Sequence, residues 1–205
     1  MNASLVMQDQ QTDTYWSLMK GIALEGELKG QQLEELPVGE KVTWKEWQSR
    51  YPDTEVLSVN GKQDGKDRYG GYFTDKKGFH GLESTDERME TKTPIFAFHR
   101  GDRAYAVRHE LIVDGKVFEL PDGQWLFLYR TDADSIRRST SAFVSSTGFA
   151  EVEGKWTETA NQEQFDQSKR RFLGDEISRI GGFDTYWYNW SLNNPDTLVL
   201  GEKEG

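Results

Sequence analysis

The sequence predicts a mainly β protein with short helices, an α+β arrangement made of two related β-rich units of which the first is incomplete. Three observations lead to this prediction. A tryptophan-rich motif occurs twice, short apolar runs separated by turn residues fill the second half, and the apolar content is sufficient for a core. The two units therefore share a local pattern but differ in how much of the unit is present.

The composition favours a folded protein and excludes several classes of partner. The chain has 205 residues, 35% of them apolar, and its 35 Asp and Glu against 25 Lys and Arg leave a net charge of −10. This charge opposes binding to a phosphate backbone, so we expect no nucleic-acid partner. No apolar run is long enough for a membrane span, and Met1–Gln8 does not resemble a signal peptide. The absence of cysteine excludes disulfides, thiolate metal sites and cysteine nucleophiles within the chain.

The repeated motif reads W-x-x-W-x-x-x-x-P-D-T-x-V-L and begins at Trp44 and again at Trp187. Seven identical residues fall at one offset of 143 positions, and two of the seven are tryptophans. Because chance is a poor explanation for this agreement, we interpret the motif as the trace of an internal duplication.

The residues of the motif predict a short helix, a turn and a strand. Thr43 and Glu46 form a capping-box pattern that starts the first helix, and the two tryptophans of the motif then lie on one helical face. The proline ends the helix, and the closing Val-Leu pair, Val56-Leu57 in the first copy, starts a strand. We expect both tryptophans of each copy to be core anchors, with Trp47 and Trp190 in equivalent buried positions.

Apolar runs in the second half predict a meander of about four strands. The runs are Pro94–Phe98, Glu110–Val113, Lys116–Leu120 and Gln124–Tyr129. Asp114-Gly115 joins the second run to the third, and Asp-Gly between apolar runs is the strongest short-range hairpin signal. We therefore expect the second unit to open as a sheet.

The chain divides into three parts on this interpretation. Residues 1–58 form a partial first repeat, residues 59–93 form a polar linker that packs between the repeats, and residues 94–205 form a complete second repeat. Trp16 aligns loosely with Trp156, which leaves the meander of the second repeat without a partner in the first. We therefore expect the chain to be an amino-terminally truncated version of a longer duplicated protein.

Short motifs spread over nearly the whole chain resemble those of a known family. The matching residues are Asn2–Asp9, Thr14–Trp16, Gly26–Gly30, Leu36-Pro37, Thr43-Trp44 with Trp47, Pro52–Thr54, Tyr69–Tyr72, Asp86 with Arg88 and Lys92, and Gly101–Tyr105. These stretches resemble the DUF3179 family of bacterial and archaeal proteins, a domain of unknown function. The resemblance implies export to a periplasmic or other extracytoplasmic address, because such proteins commonly begin with a signal sequence or lipid anchor.

The resemblance also implies a Tyr-Cys-Pro-Leu-like segment that follows a strand. The corresponding place in this sequence is Leu128–Asp132, and it lacks the cysteine. Any chemistry that a cysteine supports in relatives is therefore not carried by this segment.

No motif in the sequence predicts a metal site or a cofactor. His80, His99 and His109 lack the i, i+4 spacing of paired metal ligands. The segment Asn60–Gly65 resembles the start of a calcium loop, but it has lysine at the third position. Asp132–Asp134 follows a strand as in some phosphatases, but no partner lysine is evident, so we interpret it as a turn.

Six residues at the junction between the two units are the candidate ligand-binding residues. They are Tyr69, Tyr72, His80, Asp86, Arg88 and Lys92. Aromatic rings beside glycines, together with polar Asp, Arg and Lys side chains, suit a small-molecule, sugar or peptide ligand. A structural alternative is an Arg–carboxylate bridge that ties the linker to the second sheet.

Two functional classes remain open from the sequence. We favour a non-catalytic extracytoplasmic ligand-binding or scaffold module, in which loops and aromatic side chains at the junction contact the ligand. The alternative is a hydrolytic enzyme with a carboxylate and a histidine at the same junction, such as His80 with Asp86 or Glu83.

Overall fold

The computed structural model of the chain describes residues 4–36, 39–57, 67–174 and 177–202. The rejected calcium-loop segment Asn60–Gly65 lies outside the described residues, as do residues 59–66 at the start of the predicted linker. Within the described part of the chain, no helix is long and apolar enough to cross a membrane.

The predicted fold class is confirmed, because strands dominate and the helices are short. The strands are β1 (Val6–Gln8), β2 (Tyr15–Ser17), β3 (Ile22–Glu25), β4 (Pro94–Arg100), β5 (Arg103–Arg108), β6 (Lys116–Glu119), β7 (Trp125–Tyr129), β8 (Ser141–Ser145), β9 (Phe149–Val152), β10 (Lys155–Glu158), β11 (Phe165–Asp166), β12 (Arg171–Phe172), β13 (Ser178–Arg179), β14 (Phe183–Tyr186) and β15 (Leu198–Leu200). The helices are α1 (Trp44–Arg50), α2 (Gly70–Thr74) and α3 (Trp187–Ser191), and the 3-10 turns are Phe79–Gly81 and His109–Leu111.

The amino-terminal sheet is an antiparallel meander of β1, β2 and β3. Its first turn is held by the carboxylate of Asp9, which accepts hydrogen bonds from the backbone N–H groups of Gln11 and Thr12 and from the indole of Trp16 at 2.8 Å. These bonds hold the pKa of Asp9 below its usual value, the indole contact having the largest effect. A side chain therefore fixes the turn from which this small sheet starts.

Two four-stranded sheets form the body of the protein. The central sheet has the order β14-β4-β5-β15, in which β15 runs parallel to β5 and the other pairs are antiparallel. The second sheet has the order β13-β8-β7-β6 and is antiparallel throughout. The predicted meander is thus split, since β4 joins one sheet while β6 and β7 join the other.

Alternation of side chains along the strands explains how these sheets pack. In β4, Phe96 and Phe98 face the second sheet, whereas Ile95 and Ala97 face the opposite way. In β7, Leu126 and Leu128 pack against those phenylalanines, and Phe127 and Tyr129 lie on the opposite face of the second sheet. The continuous apolar runs read from the sequence are therefore strands buried on both faces.

Each outer face is covered by a different structure. Phe127 on the outer face of the second sheet packs against Phe149, Phe165 and Phe172 from the β9–β12 hairpins. The outer face of the central sheet is covered by helix α3 with its tryptophans. The order of layers is therefore hairpins, second sheet, central sheet and helix.

Within the predicted meander, one strand is wrong and another was missed. Glu110–Val113 is not a strand, because residues His109–Leu111 form a 3-10 turn. The backbone of this segment bonds to Arg130: Arg130 N–H donates to Ile112 C=O, and Asp114 N–H donates to Arg130 C=O. The chain therefore pairs with the end of β7 and not with Lys116–Leu120 across the Asp-Gly turn. The strand that pairs with β4 is instead Arg103–Arg108.

The two copies of the tryptophan motif fold into similar corners. We define the amino-terminal corner as residues 44–57 and the carboxy-terminal corner as residues 187–200. In each, the second tryptophan donates its indole N–H to the motif threonine at 2.9 Å, from Trp47 to Thr54 and from Trp190 to Thr197. The threonine N–H donates to the carbonyl three residues earlier at 3.2 Å in both corners. That a duplication produced this likeness stays a prediction.

Burial separates the two corners. Trp187 and Trp190 are fully buried, which confirms the prediction for the second copy. Trp47 is half-buried, and Trp44 is 50% exposed, so the prediction of two core anchors is wrong for Trp44. Val56-Leu57 is not a strand either, because no sheet edge lies beside it in the described structure.

Candidate functional site

A buried charged cluster joins the second sheet to the central sheet. Arg130 at the end of β7 donates from Nη1 to Asp184 Oδ1 at 2.6 Å and to Thr140 Oγ1 at 2.9 Å. Thr140 also donates to both carboxylate oxygens of Asp184, through its hydroxyl at 2.5 Å and its backbone N–H at 2.8 Å. Arg130 is 1% exposed and Asp184 7% exposed, so water does not screen this ion pair. The cluster is an internal bridge from β7 to β14.

His109 completes the cluster. Its Nε2 lies 3.0 Å from Asp184 Oδ1, although neither ring nitrogen has a hydrogen bond of good geometry. Burial, together with the charge of Arg130, holds the pKa of His109 below its usual value, against the opposing effect of Asp184. Burial acts to raise the pKa of Asp184, but the contacts with His109, Arg130 and Thr140 outweigh it and lower that pKa.

The guanidinium of Arg130 is also used to order the loop after β7. It donates to the backbone carbonyls of Asp132, Ser135 and Arg138, at 2.9, 2.6 and 3.0 Å. Arg130 is the residue at the place where the family resemblance implies a cysteine. A buried cation whose guanidinium donates to five acceptors stabilises a fixed loop and offers no nucleophile.

A cleft of about 1220 Å³ lies on the other side of β14, between the amino-terminal sheet and the central sheet. It is lined by five segments, at residues 18–22, 32–36, 99–104, 179–183 and 193–198. A smaller pocket of about 220 Å³ adjoins it, since Glu35 and Arg179 line both cavities. The smaller pocket reaches Ser139, Thr140 and Asp184, so it ends at the edge of the buried cluster.

One wall of the smaller pocket is the outer edge of β14, together with Gly182 just before it. Trp187 N–H donates to Thr93 C=O, so in this antiparallel ladder Thr185 and Phe183 also face β4. The alternate residues, Asp184 and Gly182, then direct their backbone groups away from β4. The carbonyl of Asp184 agrees with this, because it accepts a hydrogen bond from Lys41 Nζ at 3.0 Å.

Other backbone groups of this edge have no hydrogen-bond partner in the part of the chain that the structure describes. Within the described ranges, no hydrogen bond is formed by the N–H or C=O of Gly182 or by the N–H of Asp184. A Cβ at position 182 would approach the Phe96 ring within 2.4 Å and Ala97 O within 2.8 Å, so only glycine fits here. These backbone groups of Gly182 and Asp184 lie at the smaller pocket, and the glycine at position 182 allows close packing against Phe96.

Two of the six residues predicted from the sequence meet in an aromatic cluster. The ammonium of Lys92 lies 3.9 Å from the ring centroid of Tyr72 and 4.4 Å from that of Tyr186. Lys92 also donates to the Tyr72 carbonyl, and the hydroxyls of Tyr72 and Tyr188 lie 3.0 Å apart. Burial raises the pKa of Tyr72 and lowers that of Lys92. The chain's own lysine thus fills the space between these rings.

Two more of the six form a clamp on the carboxy-terminal corner. Arg88 donates to both oxygens of Asp86, at 2.7 to 3.1 Å, and to the carbonyl of Thr197 at 2.7 Å. Its guanidinium also lies 5.3 Å from the Trp187 ring centroid, and the Trp187 indole donates to Asp86 O. This is the structural bridge that the sequence offered as an alternative to a ligand contact.

The remaining two predicted residues lie apart from both sets. Tyr69 is 65% exposed, and His80 is exposed with its ring against Phe79. Glu83 pairs with Lys77 at 3.4 Å, and Asp86 with Arg88, so the described contacts do not join His80 to either carboxylate of the hydrolytic alternative. Among the described residues, no group of three His, Asp or Glu side chains could hold a metal ion.

Sequence reasoning missed the two acidic residues that matter most in this region. Asp184 is buried because β14 pairs with a strand about ninety positions earlier, and nothing in its local sequence distinguishes it. Glu35 lies in a polar segment that gave no strand or helix signal. His109 was noted, but only as a possible metal ligand.

Comparison with known proteins gives a single result. No curated protein and no solved structure matches the chain. The family described as "Protein of unknown function (DUF3179)" matches residues 1–197, which is nearly the whole chain. The chain therefore belongs to the DUF3179 family.

Proposed function

We propose that this chain is a non-catalytic, extracytoplasmic ligand-binding module whose ligand occupies the cleft between the amino-terminal sheet and the central sheet. The observation that carries the proposal is the cleft itself, which adjoins a smaller pocket lined by backbone groups of Gly182 and Asp184. Binding sites of this kind combine a concave surface with a few well-placed polar groups.

The side chains that line the cleft suit a polar ligand of modest size. Both signs of charge are present, including Lys20, Arg103 and Arg179 against Asp102 and Glu35. Apolar residues such as Ile22 and Phe183 lie between them. A sugar or a short peptide would satisfy such a mixture of polar and apolar groups.

The buried cluster supports a non-catalytic function. Asp184 and His109 are the titratable pair that comes closest to an acid–base arrangement, but His109 is fully buried and Asp184 is paired with Arg130. A general base must reach a substrate proton within about 3 Å or through one water. Both groups instead stabilise the link between β7 and β14.

Four of the residues predicted at the junction have a structural role in this proposal. Tyr72 and Lys92 pack segment 69–92 against α3, and Asp86 and Arg88 fasten the same segment to the carboxy-terminal corner. In this assignment they fix one rim of the molecule and leave ligand contacts to the cleft. Tyr69 and His80, which make few contacts, stay as candidate ligand residues.

The test is to map binding by backbone amide shifts in isotope-labelled protein, with separate panels of neutral oligosaccharides and short peptides. We expect ligand-induced shifts at residues 18–22, 99–104 and 179–184. Arg103→Ala should weaken binding, whereas Arg171→Ala, an exposed arginine of β12 outside the cleft, should not.

Three results would contradict the proposal. One is the absence of binding by any member of either panel. Another is a set of shifts centred on Tyr72 and Lys92 instead of the cleft. The third is chemical conversion of a bound probe, which would show that the protein is an enzyme.

A further inference from the structure

We infer that the buried charged cluster is an acid-sensitive latch, in which protonation of His109 transfers the Asp184 carboxylate from Arg130 to His109 and releases the loop that Arg130 holds. We define this latch loop as residues 131–138. The inference goes beyond the proposed function and does not depend on which ligand the cleft binds. It rests on a shared carboxylate oxygen, on a buried histidine beside it, and on a loop that is held by side chains.

Three side chains converge on one oxygen of Asp184. Oδ1 lies 2.6 Å from Arg130 Nη1, 2.5 Å from the Thr140 hydroxyl oxygen and 3.0 Å from His109 Nε2. The other oxygen, Oδ2, accepts the backbone N–H of Thr140 at 2.8 Å. Arg130 and His109 therefore reach the same oxygen, and a protonated His109 would compete with Arg130 for it.

His109 is placed to take over the carboxylate. Its ring is fully buried, and neither ring nitrogen has a hydrogen bond of good geometry within the described part of the chain. A buried polar group without a partner is unfavourable, so the neutral form of the ring is poorly satisfied here. In the protonated form both ring nitrogens are donors, and a charged Nε2–H beside a carboxylate forms a strong hydrogen bond. The site therefore suits a protonated histidine once Arg130 has left.

The charges around His109 do not accommodate a second cation while Arg130 is in place. The groups that face or flank the ring are Arg130 on β7, Asp184 on β14, Asp132 in the latch loop, and the chain neighbours Arg108 and Glu110, which pair with each other at 3.5 Å. Burial holds the pKa of His109 below its usual value, with a contribution from Arg130 and against the effect of Asp184. Two buried cations on one carboxylate repel each other because water does not screen them. Protonation of His109 therefore favours departure of Arg130.

The latch loop is the segment that departure of Arg130 would release. Residues 131–138 form no backbone–backbone hydrogen bond among the residues that the structure describes. Four of their carbonyls bond to side chains instead, those of Asp132, Ser135 and Arg138 to the Arg130 guanidinium and that of Ile136 to Lys41 Nζ. Such a segment opens at a lower free energy than the core. The backbone of Arg130 is bonded to Ile112, so only its side chain and the loop need to move.

Proton linkage gives the direction of the change. In the closed state the pKa of His109 is lowered, whereas in the open state His109 faces Asp184 without Arg130 and binds a proton more tightly. Acid therefore shifts the equilibrium towards the open loop. The shift begins as the pH falls below the ordinary histidine value of about 6.5, and its limit for one proton is about tenfold per pH unit. Above that pH the closed loop is fully favoured.

The experiment follows the motion of the latch loop with a nitroxide spin label on the full chain. The chain has no cysteine, so Asp134→Cys provides a single attachment site at an exposed position of the loop. A second labelled protein carries Glu151→Cys, at an exposed position of β9, and reports general unfolding. Electron paramagnetic resonance spectra are recorded between about pH 7.5 and about pH 5, a range that spans the ordinary histidine value. Proton NMR of the unlabelled chain gives the titration of each histidine.

We expect the ratio of mobile to immobile label at position 134 to rise by up to about tenfold per pH unit below about pH 6.5, while the label at position 151 does not change. His109→Gln removes the titrating group and should abolish the rise. His80→Gln and His99→Gln alter histidines outside the cluster and should keep it, with one remaining histidine titrating at the midpoint of the loop transition. These two variants keep the test decisive if His109→Gln does not fold.

Four results would overturn the inference. The first is a label ratio at position 134 that does not change with pH, and the second is a rise that persists in His109→Gln. The third is loss of the rise in His80→Gln or His99→Gln. The fourth is simultaneous mobilisation of both labels, which would show acid unfolding of the whole protein in place of local release. None of these results bears on the proposed function, which the binding panels test separately.

Discussion

The amino-terminal and carboxy-terminal corners have the same local structure in two different surroundings. Each has a short helix, a turn and an indole–threonine hydrogen bond of 2.9 Å. In the carboxy-terminal corner, β15 extends the central sheet and both tryptophans are buried. In the amino-terminal corner, the equivalent Val56-Leu57 joins no sheet, and Leu57 is 98% exposed.

This difference shows which properties belong to the motif and which to its neighbours. The motif threonine, the proline and the spacing of the tryptophans determine the local hydrogen bonds, because those partners lie within about ten residues. Burial depends on β4 and β5, which lie far away in the sequence and contact only one of the two corners. The same motif is therefore a core element in one place and a surface element in the other.

Replacing the second tryptophan of each motif by alanine should show the largest difference in stability between the two corners. We expect Trp190→Ala to lower the free energy of unfolding by about 3 to 5 kcal/mol, because it leaves a cavity beside Ile95 and Ala97. Trp47→Ala should cost about half as much or less, since Trp47 is half-buried and solvent can fill the space. Urea unfolding followed by circular dichroism measures both. Equal losses would mean that the two corners are equally important to stability.

Removal of the threonine hydroxyl tests the shared hydrogen bond. Thr197→Val leaves the buried Trp190 indole N–H without its acceptor, and we expect a loss of about 1 to 3 kcal/mol. Thr54→Val should cost less than about 1 kcal/mol, because water reaches the half-buried Trp47. The comparison of urea midpoints between the two variants is the measurement. A larger loss for Thr54→Val would reverse our interpretation of the corners.

The smallest effect should appear as a difference in pH dependence. The pKa of His109 is lowered in the folded state, so between that lowered value and the ordinary value of about 6.5 the unfolded chain binds more protons. Stability should therefore be fully present above about pH 6.5 and fall as the pH is lowered below it. The amino-terminal corner contains no histidine, so this dependence belongs to the buried charged cluster.

His109→Gln is the variant that isolates this dependence. Between pH 7 and 5 its stability should change less with pH than that of the parent protein, whatever its stability at pH 7. Chemical unfolding at a series of pH values gives both slopes. A variant with the same slope as the parent would assign the dependence to another group, since His80 and His99 remain in both proteins.

Sequence reasoning predicted the strands whose signals are local. Pro94–Phe98, Lys116–Leu120 and Gln124–Tyr129 were found because their apolar runs are continuous, and each overlaps an observed strand. The strand Arg103–Arg108 was missed, since arginines at both ends and two alanines within it hide the pattern. Glu110–Val113 was misread because its backbone partner, Arg130, follows it only after the next two strand segments of the sequence.

The candidate site was also predicted only in part, and again the parts with local signals were found. Asp86 with Arg88, and Tyr72 with Lys92, were singled out from the sequence, and each pair is in contact in the structure. The cleft itself could not be predicted, because it forms where residues 18–36 meet three segments distant in the sequence, at residues 99–104, 179–183 and 193–198. Neither the unpaired edge at Gly182 nor the position of Glu35 leaves a pattern in the local sequence.

The order of strands in the central sheet has a consequence for synthesis of the protein. The inner hairpin of β4 and β5 is made early, but both of its neighbours, β14 and β15, come from residues 183–200. Until the ribosome has made those residues, the hairpin has two open edges and an apolar run at Ile95–Phe98. The nascent chain is therefore most prone to aggregation during translation of the segment from β6 to β13, when chaperone contact with the hairpin would protect it most.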